Sequence, residues 1–310
     1  MSAVSLRERL SIIGEPRSGD RVTRLPGGFH SAPSSLRAAM HAMLPPRIQE
    51  WTNTHQWTFE NLIWTEECQG LTTDGQSWFV SSNNEDLRAI HKFSLDFQSH
   101  LGEVQLPSGS GKHIGDIDCH AGRVYVAVDD PTARVWVLDT ALNTMDVADL
   151  GGSPGAAGYF TGWCAVNPWN GYLYSSGGDG VDRVHAYDPT AKFSHVGTLH
   201  LQGPPLYGVQ GGCFSGNGHL YLNSDRRVSP SGTKDIRAYS GLNGAFLGAC
   251  PVDYDDSALE AEEMEGFAIA HIVHLGGGST HIHVVVLDND LTNPDDVFLK
   301  HFAVPDPDVL

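Results

Sequence analysis

The chain has 310 residues, 37 of them acidic and 19 basic, for a formal charge of -18. So acidic a surface repels phosphate backbones and anionic lipid headgroups, which sets nucleic acid and membranes aside as partners and leaves small molecules, cations and proteins. Its 35 glycines and 17 prolines exclude a helical bundle, and 40% apolar against 18% charged residues excludes disorder.

Residues 1–50 form an N-terminal extension with one expected helix at 34–43, stopped by Pro45 and Pro46, and are read either as a cap on one mouth of the domain that follows or as a flexible segment. Arg7, Glu8 and Arg9 interrupt the position where a secretory signal needs apolar residues, and no stretch approaches the roughly 18 apolar residues of a membrane span. The chain therefore reads as soluble and cytoplasmic. Its five cysteines, Cys68, Cys119, Cys164, Cys213 and Cys250, include no CxxC pair, and read as buried thiols rather than a disulfide framework or zinc knuckle.

From residue 57 one pattern recurs five times: a polar or small lead-in, a short apolar strand, a glycine turn, a strand with an aromatic, then a third strand. In the first unit Gln69-Gly70-Leu71 is followed by a turn at Asp74-Gly75, then Trp78-Phe79-Val80 and Ile90-His91-Lys92-Phe93. The equivalent anchors Leu71, Ile117, Ala165, Gly212 and Phe267 lie 46 to 55 residues apart, the period of a four-stranded propeller blade. Fourth strands are expected at 102–106, 145–150, 195–201 and 246–252. The fifth unit has none after residues 297–304, so the extended stretch at 57–64 is expected to supply it and close the ring. The reading is an all-β, five-bladed β-propeller over residues 51–310, closed by its own N-terminal strand. Parallel α/β folds would need crossover helices that do not fit between these glycine-punctuated runs.

On these motifs the chain resembles the broad class of NHL, lactonase-like and YncE-like propellers, whose innermost strands begin with a polar-Gly-apolar step. Gln69-Gly70-Leu71 with Gly75 is also similar to the first blade of five-bladed glutaminyl cyclases, and five-bladed apyrases are a further structural parallel. The resemblance covers residues 57–304 and implies architecture.

A propeller brings the starts of its inner strands to one axis. Two residues before the anchors stand Gln69, Gly115, Trp163, Gln210 and Glu265, and two earlier still Glu67, His113 and Glu263, with Asp116 beside its anchor. Alternation along a strand would aim Glu67 with Gln69, and Glu263 with Glu265, to one mouth. Two chemistries suit that set. Glu67, His113, Asp116 and Glu265 would act as acid and base groups on a small organic substrate, with Gln69, Trp163 and Gln210 binding it, in a hydrolase, lyase or cyclase type of reaction. Alternatively, Asp116, Glu263 and Glu265 would hold a hard cation, calcium foremost. A noncatalytic propeller that binds a ligand or protein is the rival, its polar channel lined with water. No organic cofactor is expected. Two lesser expectations are a transition-metal site at His271, His274, His281 and His283, and an ordinary connection at 108–112 despite its Gly-Lys pair.

Overall fold

The computed structural model describes residue 48 and residues 51–60, 62–84, 87–129, 131–150, 161–216, 218–225, 234–252, 262–270, 280–288 and 295–304. The expected helix at 34–43 lies outside these. Among the described residues, twenty strands pair into five four-stranded antiparallel sheets. Blade one is β2 (Cys68–Thr73), β3 (Ser77–Ser82), β4 (Ala89–Ser94) and β5 (His100–Gln105). Blade two is β6 (His113–His120), β7 (Arg123–Asp129), β8 (Arg134–Asp139) and β9 (Thr144–Asp149). Blade three is β10 (Ala165–Val166), β11 (Leu173–Ser175), β12 (Arg183–Asp188) and β13 (Ser194–His200). Blade four is β14 (Gly212–Phe214), β15 (His219–Ser224), β16 (Asp235–Ser240) and β17 (Phe246–Pro251). The fifth blade pairs β18 (Glu262–Ala270), β19 (Thr280–Asp288) and β20 (Asp296–Val304) with β1 (Thr52–Phe59) on its outer edge. The inner strands pack in the cyclic order β2, β6, β10, β14, β18 and back to β2. Among the described residues no helix is long and apolar enough to cross a membrane.

Closure by the N-terminal strand is as the sequence predicts, but the strand starts and ends five residues earlier than expected. Trp57 pairs with Leu299 and Phe59 with Val297, and β20 begins at Asp296, so the chain beyond Phe59 soon runs out of ladder. It turns instead. Thr65 Oγ1 donates to the Leu62 carbonyl at 2.6 Å and accepts the Leu62 amide at 3.0 Å, while Trp64 packs its ring 5.1 Å from Phe93. Apolar layers fill the spaces between neighbouring blades. One joins Trp136, Val126 and Ile117 of blade two to Phe79 and Ile90 of blade one, and another joins Tyr221 and Ile236 of blade four to Phe267 and Val284 of blade five. Ile48 and Trp51 belong to that second layer.

Candidate functional site

Three of the five inner strands carry a β-bulge just before the anchor. The extra residue falls between Cys68 and Gly70, between Ile114 and Ile117, and between Met264 and Phe267. A bulge breaks simple alternation and re-aims the side chains beside it. In blades three and four the ladder begins only at the anchors Ala165 and Gly212. The residues that meet at the axis are therefore Gly70, Asp116, Gly162, Gly212 and Gly266, one from each blade.

Asp116 differs most from the expectation that it would share a mouth with the glutamates. It is sealed in the axis wall, with no exposed surface. Its amide donates to the Gly162 carbonyl of blade three at 2.8 Å. Its carboxylate accepts the amides of Ile117 at 2.8 Å, of Gly212 in blade four at 3.1 Å, and of Phe267 in blade five. A Cβ on Gly70 or Gly266 would lie 2.1 or 2.2 Å from Oδ1, so only glycine fits against it there. Burial raises its carboxyl well above the usual range, against the pull of those three amides. Trp163, expected as a wall for substrate, is likewise enclosed: its Nε1 donates to Ser176 Oγ at 2.8 Å and its ring covers Gly212.

The glutamates gather where the inner strands begin, the upper mouth. Glu265 is buried, and its Oε1 accepts from Gln210 Nε2 at 2.9 Å across the blade four to five boundary. Oε2 has no hydrogen-bond partner among the described residues. Burial pushes the Glu265 carboxyl well above the usual range, and Glu263, Asp225 and Glu67 push it further. Asn223, fully buried on β15, sets this geometry. Its Oδ1 accepts the amides of Gln210 and Gly211, each at 2.8 Å, and its Nδ2 donates to the carbonyls of Met264 and Glu265 at 2.7 and 2.6 Å.

Glu67 closes a turn at a left-handed φ of 51°, and its amide donates to Asp295 of blade five at 2.8 Å. Blades one and five are thus neighbours at this mouth. Gln69 is the extra residue of its bulge and is buried. His113 stands at the start of β6 with its Nδ1 3.3 Å from Asp129 Oδ1. Asp225, one residue past β15 and paired with Lys234 at 3.2 Å, joins the cluster from outside the inner strands, so their spacing does not mark it.

The opposite, lower mouth holds a cavity of about 210 Å³ lined by Thr72, Asp118, His120, Phe214, Phe267 and Ile269. Asp118 Oδ2 accepts the Val166 amide at 2.7 Å, and burial raises its carboxyl, with His120 acting in the other sense. Asp118 and His120 stand two apart on β6, a same-face spacing visible in the sequence but outranked by the glutamates. The five cysteines are unbridged. Burial pushes the thiols of Cys68, Cys164 and Cys213 far above their ordinary value and that of Cys119 up to about 12, which makes them inert packing groups. His271 and His274 lie outside the described residues, and His283 is buried against His301, with Nδ1 to Nδ1 at 2.6 Å.

No family model and no curated protein matches this chain. Solved structures do. The tail fiber of Staphylococcus aureus phage P68 is similar at a TM-score of 0.55 and 15% identity, over 83% of this chain and 53% of that one. Kuenenia stuttgartiensis hydrazine synthase gives 0.43 at 12% identity over 74% and 65%, and a luciferin-regenerating enzyme 0.44 at 12% over 82% and 82%. The chain thus spans less than two thirds of the length of the first two. At 15% identity the likeness to the tail fiber concerns the fold alone.

Proposed function

We propose that the protein is an enzyme of carboxylate acid/base type, acting on a small organic substrate at the upper mouth of the propeller. The observation that carries this is Glu265: a buried carboxyl with one oxygen held by Gln210 and the other without a fixed partner, beside Glu263. Burying such a group is unfavourable unless it has a task. Glu265 would be the acid and Glu263 or Glu67 the base, with Gln69 and Gln210 orienting substrate. His113, paired with Asp129, would carry protons at the rim. Asp116 keeps the axis closed beneath them. Crowded carboxylates disfavour anions, so the substrate class is neutral or cationic, and hydrolase, lyase or cyclase chemistry all suit the pair.

Glu265→Gln is expected to lower turnover of a responsive neutral ester, lactone or glycoside by about 100-fold or more. The same variant should melt higher than the natural chain at alkaline pH and no higher at acidic pH. The reason is linkage: a carboxyl raised in the folded state contributes fully below its unfolded value of 4.5 and loses that contribution as pH rises through its folded value. Retained turnover in Glu265→Gln would contradict the proposal. Calcium is the cofactor reading of the same oxygens, Glu67, Glu263 and Glu265 with the two carboxamides. It predicts a melting temperature raised by calcium and lowered by chelator, and an unchanged melting temperature removes it.

A second reading has its own observation. The lower cavity, with Asp118 and His120 among Phe214, Phe267 and Ile269, suits a noncatalytic pocket for a small, partly apolar ligand.

A further inference from the structure

Blades one to four share a device on their outer strands. Between the third and fourth strand of each, one extra residue interrupts the ladder at the same place: opposite Lys92 and Phe93, Val137 and Leu138, Ala186 and Tyr187, and Ala238 and Tyr239. In blade one the extra residue is Leu101, followed by Gly102 at a φ of 150°. Residues three apart on a regular strand face opposite ways, but this bulge turns His100 to the same side as Glu103. His91 pairs directly with Glu103 in the ladder.

The three side chains converge. One donor atom from each lies within 4.8 Å of the others, with His91 Nδ1 3.4 Å and His100 Nε2 3.9 Å from Glu103 Oε2. The two imidazole rings are 5.6 Å apart. His91 is only 2% exposed, and its Nε2 has no partner.

The fold does not require these residues. In blade two the equivalent positions are Trp136, Thr144 and Val147, closed by a Trp136 Nε1 to Thr144 Oγ1 hydrogen bond of 3.0 Å. In blade four they are Arg237, Phe246 and Ala249. Blade three has His185 and His195, 3.4 Å apart, but Thr198 where blade one has its carboxylate. Among these four blades, the first alone combines two imidazoles with a carboxylate.

We propose that His91, His100 and Glu103 bind a divalent transition metal of the zinc class on the outer strands of blade one. Two nitrogens and one carboxylate oxygen match zinc and not calcium, and three protein donors leave a position for water or an exogenous ligand. Bound there, the metal clamps β4 to β5 at the bulge, away from the upper mouth.

The test is calorimetric titration of the full chain, freed of metal by dialysis, with zinc in the presence of calcium. One saturable site is expected that calcium does not compete for, weakened by about 100-fold or more in His100→Ala and in Glu103→Ala. Both side chains are over 40% exposed, so both variants should fold, which circular dichroism checks. No saturable site in the natural chain, or unchanged affinity and stoichiometry in both variants, overturns the proposal.

Discussion

Asp116→Ala is expected to destabilise the protein by about 4 kcal/mol and to lower its melting temperature by about 10 °C. Asp116 is the only residue described at the axis that meets every other blade: Gly162 through its amide, Gly212 and Phe267 through its carboxylate, and Gly70 by contact. Alanine would leave the amides of Ile117, Gly212 and Phe267 buried without an acceptor, at about 1 to 3 kcal/mol each. It would also open a void between Gly70 and Gly266, which have no side chains to fill it. Asp116→Asn keeps one acceptor oxygen and turns an NH₂ group towards amide donors, so its loss should be about half as large. Thermal and urea denaturation measure both. A change below about 1 kcal/mol for alanine would show that the ring does not depend on this hub.

Gly115→Ala should be nearly as damaging, for a different reason. A Cβ there would stand 2.1 Å from the carbonyl oxygen of Gly162 and 2.6 Å from its carbon. Both are backbone atoms and cannot swing aside. The inner strands of blades two and three would have to separate, losing the 2.8 Å bond from the Asp116 amide to Gly162. A loss of about 3 kcal/mol or more is expected by denaturation. Gly177→Ala is the control, since nothing lies within 4 Å of its added Cβ, and it should stay within about 0.5 kcal/mol of the natural chain. Equal effects at the two positions would mean that close inter-blade approach is not what selects glycine at 115.

The blades were legible because each repeats a physical unit: a glycine turn joining a short apolar strand to one with a buried aromatic such as Trp78, Tyr125 or Tyr221. The N-terminal partner of β20 was legible as an unpaired strand for an unpaired edge, though its register was not, because the turn at Leu62 and Thr65 rests on one hydroxyl. The bulges left no mark in the residue pattern. Strict alternation pointed Gln69, Gly115 and Glu265 to a common level, whereas the extra residue in each strand brings Gly70, Asp116 and Gly266 to the axis instead. The gathering of Glu263 and Glu265 near Glu67 followed from the ring closing blade five onto blade one. Asn223 and Asp225, which hold and charge that mouth, come from a second strand, and nothing in their own spacing marks them out.

The acid/base chemistry proposed for the upper mouth requires Glu265 to keep a proton that an exposed glutamate would have lost. Infrared spectroscopy of the full chain at neutral pH, taken as the difference between the natural protein and Glu265→Gln, reads this directly. The predicted result is a carboxylic-acid carbonyl band present in the natural chain and missing from the variant. A difference spectrum showing only the loss of an ionised carboxylate would contradict it.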